Sequence, residues 1–438
     1  MTGVLAQRPR STTLPGVREL LDAAEGGDAS AQFELAERLR HRGTHEIDLE
    51  QALSWYRRAA EQGHARAQHR LGICLLEGLG CVRDPQAALR WLHEAAEENL
   101  GDAQALIGWC YHTGTGVARD YERAFTWYYA AATQGNAIGN FNLGELYSKG
   151  LGVRQDMQAA VRHWASAARA GYTKAQLNLA LAHVHGEGVE VDYDAAFDWC
   201  RRAAEAGYVK AQYNLGLLYT SAPIRHRNID EAEHWLTLAA RAGVPQAQYA
   251  LGRFYQRGLG QQPEPKTAFE WLRKAADQGH IKATYRVALA YESGDGVAQN
   301  KPRAIAWLRH AAQLGYAQAQ YEVGRRGLFG QVAGVLVDEA VQMLERAAHQ
   351  GHARAQYGLG LCYAKGVGIG RDQSRAYVWM SLAAEHGLPK AQHKLAIMED
   401  HLEARTLQEA RRELAALRRQ LTGDLVEAQE LAERRFVF

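Results

Sequence analysis

Apolar residues fall in two short bursts within every 36 residues, and each burst has helical spacing. In one first burst Ala211, Leu215, Leu218 and Tyr219 share a face; in one second burst Ala124, Trp127 and Ala131 do. Steps of three and four residues place such positions on one stripe of a helix. Each second burst ends in a pair of alanines, from Ala23-Ala24 through Ala203-Ala204 to Ala383-Ala384, and no insertion or deletion shifts the register. A fixed period of this size predicts a solenoid, whose units bury their faces only against neighbours. The unbroken register predicts one elongated array, where 438 residues would ordinarily suggest two or three domains.

Punctuation between the bursts supports two helices per unit. Paired glycines such as Gly150 and Gly152 break the chain, and they supply the positive φ that ends a helix. Four residues later stands an N-cap: Asp84, Asp120, Asp156, Asp192 and Asp372, with Asn228 and Asn300 in register and Asp48 in the first unit. Such side chains accept the orphan N–H groups of the following helix. Alanine recurs at one position of the second helix, from Ala52 to Ala376, and three residues later comes an aromatic row: Trp55, Trp91, Trp127, Trp199, Trp235, Trp271, Trp307 and Trp379. His163 and Met343 interrupt it. This row is expected to be core, with a cost of about 3–5 kcal/mol for each tryptophan lost.

The unit A-x-A-Q-Y-x-L-G, then G-x-G-V, the tryptophan and the alanine pair resembles the Sel-one-like repeat family, a branch of the tetratricopeptide-like superfamily. The resemblance covers residues 28–387, about ten units. It implies an all-α fold: a right-handed α-solenoid of about ten 36-residue helix-turn-helix repeats with helical caps. It also implies a scaffold or adaptor role, often in bacterial envelope assembly, signalling or host interaction. Residues 1–13 are expected to be flexible, 14–27 to form an N-terminal capping helix, and 388–438 a half repeat with a capping helix. Thr406 and Glu409 have the spacing of a capping box. Leu407, Ala410, Leu414, Leu417 and Leu421 form either the face that seals the last repeat or a coiled-coil seam. The double glycine is missing at His41–Thr44, Ser221–Arg227 and Arg325–Val337, where loop drift and a specialised contact edge both remain open.

Composition removes several function classes. A net charge of +2 offers no bulk attraction to nucleic acid. No apolar run approaches the roughly 18 residues of a membrane span. The N-terminal stretch lacks the apolar core of an export signal, so the expectation is a cytoplasmic chain. Five cysteines, with Cys74, Cys110 and Cys362 at one repeat position, read as free thiols. Penicillin-binding relatives of the resembled family carry paired cysteines in each unit; this chain does not. No nucleophile elbow, phosphate loop or metal motif occurs, and His183 and His185, two apart on a helix, point in different directions. The reading is a non-catalytic protein-binding scaffold without catalytic residues, cofactor or metal. The alternatives are a periplasmic or envelope-associated scaffold of a polysaccharide-export or secretion complex and, further off, a penicillin-binding or hydrolase-type enzyme.

In tetratricopeptide-like units the residue before the L-G pair and the one four earlier face a concave groove. Here Asn142, Lys174, Asn178, Lys210 and Asn214 make the longest run of amide and basic groups in those positions. Asparagine grips a peptide backbone through donor and acceptor, and lysine holds a carboxylate. The expected partner is therefore a protein or peptide, acidic or with a free C-terminus. Nucleic acid is not expected as a partner. The chain is expected to be monomeric, with its C-terminal helix as a further contact.

Overall fold

The protein is described by a computed structural model over residues 15–42, 46–259, 262–332 and 334–435. Among the described residues 23 α-helices and one 3-10 turn succeed one another, and no strand occurs. The expected N-terminal stretch 1–13 lies outside the described residues; the N-terminal cap is the helix Pro15–Glu25. Most helices have 13 residues, as in the pair Thr173–His185 and Tyr193–Glu205. Within each unit of the structure successive helices pack on one another, as Ala65–Glu77 does on Pro85–Glu97. The packing separates into two compact units: residues up to 215 with 224–226, and residues 216–223 with 227 onward. The sequence register passes this division unshifted.

The capping chemistry follows the sequence. Asp84, Asp120, Asp156, Asp192, Asn228, Asn300 and Asp372 each accept the N–H three residues on. Asp48 departs from this pattern, because its helix, Glu46–Glu61, starts two residues earlier. Thr406 departs too: the last helix begins at Ala404, and Glu409 pairs with Arg405 at 3.1 Å instead of closing a capping box. The first glycine of each pair ends a helix in the left-handed region, as Gly78 does at φ 77°. The second has another task. A Cβ at Gly116 would lie 2.6 Å from the Pro85 carbonyl oxygen, at the start of the preceding unit's second helix. Close approach between units therefore excludes every side chain there.

The aromatic row is not the core the sequence predicts. Trp55, Trp91, Trp127, Trp199, Trp271 and Trp307 are half-buried, and only Trp235 and Trp379 are buried. Arg58 covers the Trp55 ring at 4.6 Å and Lys274 the Trp271 ring at 4.2 Å. The core belongs to the next residue: Tyr56, Leu92, Tyr128, Leu236, Leu272 and Leu344 are at most 2% exposed. Helical geometry explains this, since Ala124, Tyr128 and Ala131 fall within about 60° of one another and Trp127 falls at the edge. All of these but Tyr56 press on the glycine that follows a buried aliphatic residue of the first helix. A Cβ at Gly108 would lie 2.6 Å from Tyr128, and one at Gly252 would lie 2.8 Å from Leu272.

A ladder of buried amides ties most units to the one before; in one unit Thr284 takes the position and bonds within its own helix. Gln32 donates to the Ala24 carbonyl at 3.0 Å, Gln176 to Ala168 at 3.2 Å and Gln356 to Ala348 at 3.1 Å. The acceptor is the second alanine of each pair, a carbonyl that a helix end leaves orphaned. The glutamine oxygen takes a second bond where the residue 30 positions on can donate, as Gln278 does to Gln248 at 2.8 Å. Where that residue is Glu98 or Ala206, the oxygens of Gln68 and Gln176 have no partner among the described residues.

The irregular loops differ from the glycine turns in their local structure. Ile224–His226 makes the 3-10 turn, and the His226 ring lies against Phe197 at 5.5 Å. In the Arg325–Val337 stretch Phe329 and Leu336 are exposed. Part of His41–Thr44 lies outside the described residues. The C-terminal helix Ala404–Arg435 lays Ala410 and Leu414 into the core beside Tyr377 and Met398, with Leu407 and Leu417 flanking. The sealing role therefore holds up to Leu417; Leu421 lies beyond the described side chains.

Candidate functional site on the first helices

Second helices lend one side to the core, and the first helices carry a face that presents side chains outward across successive units. On this face residues 33 apart meet. Arg70 Nε lies 2.9 Å from Glu37, and Asn178 Nδ2 lies 2.6 Å from Glu145. Burial opposes the Glu37 charge, but hydrogen bonds from Tyr56 and Arg40 and the Arg70 charge hold its carboxyl below the usual value.

Two of the predicted residues differ from the other three in what they offer. Lys174 and Lys210 are exposed, as expected, and have no ion-pair partner among the described residues. Asn142 donates to the Ile138 carbonyl at 2.9 Å and Asn214 to the Lys210 carbonyl at 2.7 Å, both one turn back. Asn178 donates to Glu145, which also holds Lys149 at 2.7 Å. Each asparagine thus spends one amide N–H inside the protein, which fixes its orientation.

The sequence reading passed over an apolar groove just upstream. It encloses about 590 Å³ between the helices Ala65–Glu77, Gly101–Thr113 and Ala137–Lys149. Ile73, Leu106, Trp109 and Ile138 give it an apolar floor. Trp109 is 39% exposed and Ile138 43%. His69, Glu77, Arg83, Asp102 and Asn142 form its polar border. Burial holds His69 below its ordinary pKa, which favours its neutral form. The signal was present: Leu106 and Ile138 are apolar at positions where most other units carry polar or charged side chains.

Among the described residues no three metal-ligating side chains converge, and no helix is long and apolar enough to cross a membrane. All five cysteines are free thiols, and burial pushes those of Cys110 and Cys200 up to about 12.

The chain is similar to two solved structures over most of its length. A protective antigen of uropathogenic Escherichia coli strains that displays an SLR fold is 30% identical; the alignment covers 95% of this chain and 97% of that one, with a TM-score of 0.60. A Sel1 repeat protein from Oxalobacter formigenes is 29% identical over 83% of this chain and 93% of that one, with a TM-score of 0.56. Among curated proteins none matches significantly. The Sel1 repeat model matches ten consecutive segments, from 29–64 to 353–388, each coinciding with one helix pair of the structure. Repeats of this kind build surfaces for protein–protein contact, and with ten of them in unbroken succession the chain belongs to the Sel1 repeat family.

Proposed function

We propose that this protein is a non-catalytic adaptor that holds a segment of a protein partner along the first helices between about residues 66 and 214. The observation that carries the reading is the apolar groove at Trp109 and Ile138. A half-exposed tryptophan beside aliphatic side chains, bordered by polar groups, is what an anchoring side chain of a partner needs. Downstream, Lys174 and Lys210 supply cations for acidic residues or a free C-terminus of the same segment. Asn142, Asn178 and Asn214, oriented by their internal bonds, supply amide groups to its backbone. The Glu145 carboxylate within this run is paired with Lys149 and accepts a hydrogen bond from Asn178, which weakens its repulsion of an acidic segment.

A photo-crosslinker placed at Ile138 tests this in the full chain, with a control at Tyr129, exposed on the second helix Tyr121–Thr133. The partner should crosslink from Ile138 and not from Tyr129. Lys174→Ala with Lys210→Ala should weaken the same crosslink at low salt and change little at high salt, where surface charges are screened. Equal crosslinking from both positions would place the partner elsewhere.

A further inference from the structure

One pair on the face of the first helices differs from the two polar pairs described above. Arg253 of the helix Pro245–Arg257 and Arg286 of the helix Ile281–Ser293 stand 33 residues apart. That is the register at which Glu37 meets Arg70 and Glu145 meets Asn178. In those units an acceptor faces a donor; here two guanidiniums face the same space. Both are half-buried. Burial and the charges of Arg286 and Arg257 together pull Arg253 below the ordinary arginine value. Among the described residues its one side-chain hydrogen bond is to the Gln256 side-chain oxygen at 3.2 Å, a neutral group on its own helix.

Two more cations continue the patch. Arg257 lies one turn after Arg253, and Lys282 lies one turn before Arg286; both are exposed. Among the described residues none of the four is in an ion pair. The carboxylates of neighbouring turns are already engaged. Glu292 takes two bonds from Arg326, at 2.8 and 3.2 Å, and Glu322 takes Arg325 at 2.9 Å and Arg326 at 3.3 Å. Two forks of N–H donors held together without an anion leave a charge that an external one would satisfy. Guanidinium geometry matches a carboxylate with two parallel bonds.

We propose that Arg253 and Arg286 form a carboxylate-binding site, occupied by an acidic residue or the C-terminus of a protein partner. Arg257 and Lys282 extend it for neighbouring acidic residues. This site is separate from the Trp109 groove, and the two readings fail separately because their variants do not overlap.

The test uses the full chain and three fluorescent hexapeptides read by anisotropy: an amidated hexaglutamate, an amidated hexaglutamine, and a hexaglutamine with a free C-terminus. Hexaglutamate should bind at least tenfold more tightly than amidated hexaglutamine if the acid is a side chain. The free C-terminal peptide should do so if it is a terminus. Arg253→Gln and Arg286→Gln should each weaken the bound peptide about tenfold or more, the loss expected for a charge-assisted bond. Lys301→Gln, which removes an exposed cation at the start of the second helix Lys301–Gln313, should leave it unchanged. Arg286→Glu puts an acid opposite a base at this register, with the two exchanged relative to Glu37 and Arg70. It should abolish peptide binding while raising the melting temperature of the unliganded protein. The proposal is overturned if neither carboxylate peptide exceeds amidated hexaglutamine, if the two glutamine variants bind as the parent does, or if Arg286→Glu lowers the melting temperature.

Discussion

Leu272 and Gly252 are proposed to specify each other, and a double-mutant cycle measures how strongly. Leu272 is 2% exposed, in a cluster with Ala275, Val287, Tyr291 and Ala304. Leu272→Ala removes three carbons, about 2.4 kcal/mol at roughly 0.8 kcal/mol per buried CH2. The cavity left behind raises the loss to about 3–5 kcal/mol. Gly252→Ala places a Cβ 2.8 Å from Leu272 Cγ, 3.0 Å from its Cδ2 and 3.1 Å from the Ala268 carbonyl oxygen. Overpacking of this kind costs about 1–3 kcal/mol, offset by roughly 1 kcal/mol of helix propensity. In the double variant the clash with Leu272 disappears and the new methyl fills part of the cavity. It should therefore be more stable than the summed single losses predict by about 1–2 kcal/mol. Urea denaturation followed by circular dichroism gives all four corners of the cycle. Trp271→Ala with Gly252→Ala is the control and should be additive. Additivity within about 0.3 kcal/mol for Leu272 and Gly252 would refute the knob-and-hole reading.

Other consequences are equally open to measurement. His64, His280 and His352 accept a backbone N–H on Nδ1, and burial holds all three below the ordinary value. Each binds a proton more readily when unfolded, so stability is fully present above the unfolded pKa of about 6.5 and falls as pH drops below it. Replacing the three by asparagine, the cap that Asn136 already provides, should flatten the change in urea midpoint between pH 7 and 5; an unaltered slope would count against it. Gly116→Ala should cost at least about 1 kcal/mol more than Gly135→Ala: both have positive φ, but only Gly116 faces backbone, so equal losses would sink the close-approach argument. Iodoacetamide should modify the half-buried Cys81 before the buried Cys110 and Cys200, and a peptide map showing Cys200 alkylated first would contradict the burial order.

The sequence displayed its periodic content fully. Helix starts at Asp84 or Asn300, helix ends at Gly78 and the buried alanine pairs depend on a few neighbouring residues, so local chemistry writes them into the chain. The departures come where a helix's direction matters. Trp127 and Tyr128 are adjacent aromatics, and periodicity alone favoured the larger, more regular one. Only the crossing of the two helices decides which one meets Gly108.

At the candidate site the division is similar. The exposure of Lys174 and Lys210 was legible from the register. The binding of Asn142, Asn178 and Asn214 to internal acceptors was not, since it depends on rotamers and on Glu145 in the adjacent unit. The amide ladder was visible as a recurring glutamine but had no partner until Ala24, Ala168 and Ala348 came within 3.0 to 3.2 Å of it. By itself the sequence determined the repeat, its length, its caps and its small residues, because these follow from spacing along one chain. The tertiary structure decided which side chains meet across units. It set Glu37 against Arg70 and Arg253 against Arg286, because residues 33 apart become neighbours only when one first helix is laid beside the next.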